Sequence, residues 1–167
     1  QSMIDEVRSR WPEVQCEARV TKSKGSLHLL NSRGCDAFYT KTVFGMSIEG
    51  TLIRGTDMLY VSDDKASCRL DTDTRPLTAT VMEQLELARE TAPSVSGDLP
   101  VVFTPQGVAA TLLSPLLAAF NGKSVVQGVS PLIDKLGKSI VDERFSLWDD
   151  PTMPFATGSQ MCDDEGV

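Results

Sequence analysis

Residues 101–124, V-V-F-T-P-Q-G-V-A-A-T-L-L-S-P-L-L-A-A-F-N-G-K-S, constrain the chain more than any other stretch. Val101, Val102 and Phe103 form a short apolar run with the length and composition of a buried strand. Thr104 offers an N-cap, and Pro105 stands where a first helical residue tolerates the loss of its N–H. Ala109, Leu112, Leu113, Leu116, Leu117 and Phe120 follow at helical spacing, and Asn121-Gly122 is a stop signal. Both flanks of that stripe are largely apolar, which predicts a helix buried nearly all round. No residue from 101 to 124 is a His, Glu or Cys, so this segment offers no strong group for catalysis or zinc binding.

The 167 residues suit one domain, or one and a fraction, with a real core. A net charge of −7, from 16 basic and 23 acidic residues, opposes direct binding to nucleic acid or anionic lipid. No apolar run approaches the roughly 20 residues that cross a bilayer, and the N-terminus lacks signal-peptide regions. Cys16, Cys35, Cys68 and Cys162 are scattered without a C-x-x-C pair, which points to reduced structural thiols in a cytoplasmic protein. His28 is the only histidine, so no site within this chain contains two.

Taken in order, Met3, Ile4 and Val7 space like a short amphipathic helix closed by Trp11-Pro12. Residues 14–21 alternate apolar and polar as a half-buried strand. Residues 22–25, K-S-K-G, read as a turn, and residues 26–30 as a second strand. Asn31, Ser32, Arg33 and Gly34 make the next turn, and residues 37–49 and 57–62 continue a β region punctuated by Gly45, Gly50 and Gly55. Residues 71–74 supply caps for a helix carrying Leu77, Val81, Leu85, Ala88 and Ala92 up to Pro93. Residues 94–100 read as a linker, 125–136 as weakly helical or irregular, 139–147 as extended, and 149 onward as loop. The expected organisation is therefore a sheet-and-helix region over 1–93, a linker over 94–100, and a buried helix with extended segments over 101–167. The fold class is α+β, an antiparallel or mixed sheet with packed helices.

Local motifs define no catalytic centre. Gly122-Lys123-Ser124 has the tail of a phosphate-binding loop, but Leu117 stands where the first glycine belongs, and the motif follows a helix C-terminus. His28, between Leu27 and Leu29 on a strand, reads as structural. Asp149-Asp150 and Asp163-Asp164-Glu165 lack the spacing of a calcium loop.

Three landmarks in this order resemble the TldD/PmbA family, known as modulators of DNA gyrase and as metallopeptidases. They are the turn Asn31-Ser32-Arg33-Gly34, the segment 101–124 ending in Gly122, and the closing Asp163, Asp164, Glu165, Gly166 and Val167. The resemblance implies the central portion of a longer PmbA-like fold, with an N-terminal α/β part before Gln1 and a β-rich C-terminal domain after Val167. In TldD-type members the helix carries H-E-x-x-x-H and binds zinc, with a further cysteine ligand from the C-terminal half. Here Ser114, Pro115 and Ala119 stand at the positions of the two histidines and the glutamate. The resemblance therefore implies the PmbA/TldE kind of subunit, with no catalytic or metal residue and no cofactor of its own. Zinc is expected in a TldD-type partner, and the pair is expected to cleave unfolded peptides in the cytoplasm. Exposed apolar surface leaves a homo-oligomer open, and no nucleic acid or membrane is expected as a direct partner. The readings kept beside this one are a self-sufficient peptidase completed by other regions, and a regulatory module acting on DNA gyrase.

Overall fold

The structure, a computed structural model, describes residues 2–163, 165 and 166. The chain divides into two units, Gln1–Ala92 together with Asp149–Val167, and Pro93–Trp148.

In the first unit, α1 (Ser2–Arg10) leads into three strands, β1 (Gln15–Leu30), β2 (Asp36–Arg54) and β3 (Asp57–Ser67), followed by α2 (Arg75–Leu87). The strands form one antiparallel sheet in the order β1-β2-β3. Alternation explains which face is buried, because side chains two apart share a face and directly paired residues share it too. Met46, Ile48 and Leu52 of β2, Cys16 and Ala18 of β1, and Leu59 and Val61 of β3 face the helices. Met3 and Val7 of α1, with Leu77, Val81 and Leu85 of α2, close the core from the other side.

Gly50 lies at the centre of this face. It is paired with Cys16 and Val61, and a Cβ there would stand 3.0 Å from both Val14 Cγ1 and Val61 Cγ2. Arg54 ties the end of β2 to the C-terminus of α2. Its guanidinium donates to Ala88 O (2.8 Å) and Arg89 O (3.1 Å) and pairs with Asp57 at 2.9 Å, so a cation meets the orphan carbonyls of that helix end.

Two details of the hairpins differ from expectation. The strand runs unbroken through residues 22–25, where Gly25 pairs with Lys41, so the first turn does not form. Gly45 and Gly50 lie within β2, and only Gly55 (φ +63°) turns the chain. At α2 the cap comes from Asp73, whose Oδ1 accepts from Arg75 N at 3.1 Å, while Thr74 makes no side-chain cap.

The second unit contains α3 (Pro105–Val108), a π-helical stretch (Ala109–Leu113), α4 (Ser114–Phe120) and α5 (Gly122–Val126). The strand expected at 101–103 is irregular, with Val102 95% exposed, and 139–147 is irregular as well. The helix expected to be buried nearly all round has no buried residue, with Leu117 and Phe120 both more than half exposed. An apolar stripe is buried only when another element covers it, and Ser130 is this unit's one buried residue among those described. Across both units no helix of the described residues is long and apolar enough to cross a membrane.

Candidate functional site

The segment bearing Ser114, Pro115 and Ala119 begins at a well-formed cap. Thr104 Oγ1 accepts from Gly107 N at 3.0 Å, and Pro105 opens α3. The helix then widens into the π turn of Ala109–Leu113, which ends where Ser114 begins. Pro115 accounts for this, because it has no N–H to give to Thr111 O and its ring crowds that carbonyl. Thr111 Oγ1 also bonds back to Gly107 O at 2.5 Å, a local competition with the helix ladder. Sequence periodicity gives no warning of the widening. The signal was the proline alone, ten residues after Pro105.

Beyond the π turn, α4 is a regular α-helix, so Ser114 and Ala119, five residues apart, lie about 140° apart around it. They do not share a face. Ser114 and Pro115 are exposed and Ala119 is half-buried, its carbonyl accepting from Ser130 Oγ at 2.6 Å. A hydroxyl, a pyrrolidine ring and a methyl group do not make a zinc donor set, and these residues do not fit that metal. No group of three His, Cys, Asp or Glu side chains converges among the described residues.

The other landmarks meet one another. Asn31 Oδ1 accepts from Arg33 N (2.9 Å) and Cys35 N (3.0 Å), an Asx-type turn, while Gly34 supplies φ +94°. Asn31 Nδ2 then donates to Glu165 O at 2.7 Å, joining this turn to a segment 134 residues away. Gly166 (φ +83°) fits closely over it, and a Cβ there would stand 2.7 Å from both Asn31 Nδ2 and Cys35 Sγ. Asp163 Oδ1 accepts from Glu165 N at 3.0 Å and holds the approach. Ser32 and Arg33 are exposed on the turn, and Asp164 lies outside the described residues. These residues form a structural clasp with no catalytic arrangement of side chains.

The remaining candidates stay apart. His28 Nε2 lies 2.6 Å from Asp36 Oδ1 and its ring meets Phe38 edge-on, an exposed pair without a nucleophile. Asp150 accepts from the hydroxyl and N–H of Thr152, which holds its carboxyl below the usual range. Gly122-Lys123-Ser124 follows the end of α4, as expected, and also opens α5. Asn121 Oδ1 already takes the N–H groups of Lys123 and Ser124, which leaves no free donor cradle there. All four cysteines are half-buried and none is in a disulfide among the described residues, and burial pushes the Cys16 thiol up.

One surface has unused binding capacity. On the β3 edge, Gln84 occupies Ser62 by donating to its carbonyl and accepting from its N–H, both at 3.0 Å. Cys68 N, just past β3, donates to Phe155 O at 2.8 Å. The β1 edge has no corresponding partner among the described residues.

These features describe an α+β protein with an open-edged antiparallel sheet and a helix whose Ser114, Pro115 and Ala119 cannot ligate zinc. The family model described as the PmbA/TldA metallopeptidase C-terminal domain matches residues 96–167. The crystal structure of TldE from Thermococcus kodakarensis resembles this chain with a TM-score of 0.82 at 27% identity, covering 99% of this chain and 38% of that one. An uncharacterized protein of Methanocaldococcus jannaschii is 28% identical over 150 residues, covering 89% of this chain and 34% of the relative. Residues 96–167 thus match this family's C-terminal domain, the chain as a whole is similar to TldE, and it spans little more than a third of the length of these relatives.

Proposed function

We propose that this chain acts as the metal-free subunit of a two-subunit peptidase of the TldD/TldE type, which processes unfolded peptides in the cytoplasm. The observation that carries this reading is the likeness to TldE, taken with a helix that presents Ser114, Pro115 and Ala119 where the family's TldD-type members carry zinc ligands and the general base. Zinc, held by the TldD-type partner, would supply the Lewis acid and the activated water of hydrolysis. This chain's own contribution is to bind and align an extended substrate, and the open β1 edge suits that role because main-chain pairing is indifferent to sequence.

The test mixes the protein with a TldD-type partner and follows cleavage of an unstructured peptide. The expected result is no cleavage by this protein alone and zinc-dependent cleavage by the mixture. Zinc-dependent cleavage by this protein alone, surviving extensive washing and repurification, refutes the proposal.

A further inference from the structure

The β1–β2 hairpin carries a charge opposite to that of the chain. Between Arg19 and Lys41 lie five of the 16 basic residues (Arg19, Lys22, Lys24, Arg33 and Lys41) but only one of the 23 acidic ones, Asp36. Arg19 is paired with Glu17 at 3.2 Å, whereas Lys22 and Lys24 make no ion pair among the described residues. These two lysines are exposed, lie on the same face of the open edge strand, and are paired across to Phe44 and Thr42 of β2. Lys22 Nζ sits 5.8 Å from the Phe44 ring centroid, which holds the ammonium over the sheet.

We infer that the open edge of β1 takes extended polypeptide segments bearing carboxylates at alternate positions, each beside Lys22 or Lys24. This rests on the peptide-processing reading above and names the class of substrate it would favour. A strand added beside β1 places its own residues i and i+2 on the face shared by the two lysines, within reach of cross-strand pairing. The intervening positions meet Thr21, Ser23 and Gly25, which are small and place no demand on the substrate side chain.

Two other occupants fit less well. A second copy paired through residues 19–24 sets Arg19, Lys22 and Lys24 against one another in either strand direction, a like-charge arrangement that disfavours it. A nucleic acid offers phosphate acceptors to the edge N–H groups and leaves the edge carbonyls unmatched, on a chain of net charge −7.

The experiment measures fluorescence anisotropy of three unstructured peptides that differ only at two alternate positions, Glu-x-Glu, Gln-x-Gln and Lys-x-Lys. The Glu peptide is expected to bind roughly 3- to 30-fold more tightly than the Gln peptide, and the Lys peptide most weakly. Lys22→Gln/Lys24→Gln should abolish the ranking, and Lys22→Glu/Lys24→Glu should reverse it, with circular dichroism confirming the fold. Equal affinity for the Glu and Gln peptides overturns the inference, as does a ranking that survives in the Gln variant. Displacement of the Glu peptide by a single-stranded oligonucleotide at lower concentration than by unlabelled peptide overturns it too. Cleavage of the Gln peptide by the mixture with a TldD-type partner reads the proposed function separately. If that cleavage persists without a Glu preference, only the charge selectivity fails.

Discussion

Gly50→Ala is the sharpest probe of how the sheet packs. The new methyl would stand 3.0 Å from Val14 Cγ1 and 3.0 Å from Val61 Cγ2, against an optimum of about 3.5–4.0 Å between carbons. Neither valine has room to withdraw, because Val14 is 1% and Val61 4% exposed. Relief therefore demands a shift of several tenths of an ångström on both sides, an overpacking that typically costs about 1–3 kcal/mol. Loss of glycine's freedom in the unfolded chain offsets about 0.4–1 kcal/mol. The expected net destabilisation is about 1–2 kcal/mol. Urea unfolding followed by far-UV circular dichroism and by the fluorescence of Trp11, which packs in this core, measures it. The double variant Gly50→Ala/Val61→Ala opens space on one side and should be more stable than the sum of the single effects by at least about 0.5 kcal/mol. A Gly50→Ala protein as stable as the parent, with strictly additive single effects, would refute the packing argument.

Three further predictions follow from the clasp, the α2 cap and the helix widening. Asn31→Ala removes two acceptor contacts and the donor to Glu165 O, so it should cost about 1–3 kcal/mol in urea unfolding and speed limited proteolysis near residue 163. Arg75 hydrogen bonds hold the Asp73 carboxyl down at about 2, below an unfolded value near ~3.9, so its stabilising contribution is complete above that value and lost as pH falls towards 2. The stability difference between parent and Asp73→Asn should accordingly be constant above about pH 5 and vanish near pH 2, read by urea unfolding across that range. Pro115→Ala restores an N–H to the helix and should close the π turn of Ala109–Leu113 into α-register, seen as a new protected amide at 115 and altered carbon shifts over 109–113 by NMR.

The first unit was largely legible in the sequence because its signals are local and mutually consistent. Alternation in 14–21 marked the sheet face, and Leu77, Val81 and Leu85 recur at the helical spacing that they use to cover it. The hairpin at Asn31 was legible because its turn needs a side-chain acceptor and a positive φ, and Asn31 and Gly34 supply them. K-S-K-G at 22–25 misled because turn-prone residues also tolerate an exposed ladder, and here the β2 partners extend through them. The second unit failed the same reading, since Val101, Val102 and Phe103 have strand propensity but no sheet to join, and propensity without a neighbour does not make a strand.

The site divides similarly. That Ser114, Pro115 and Ala119 make no zinc donor set is visible in the residues themselves. The π turn before them, the angle between them, and the 134-residue reach of Asn31 to Glu165 are properties of the fold. The open β1 edge was equally hidden, because it follows from the strand order of the sheet and not from any local pattern.

The most direct test of the proposed role is a titration of a zinc-loaded TldD-type partner with this protein, recording peptide cleavage and zinc per complex together. The account predicts that activity rises to a plateau at one chain per partner, with one zinc per pair and none retained by this chain alone. Full activity of the partner without the chain, or a second zinc bound on adding it, would contradict the account.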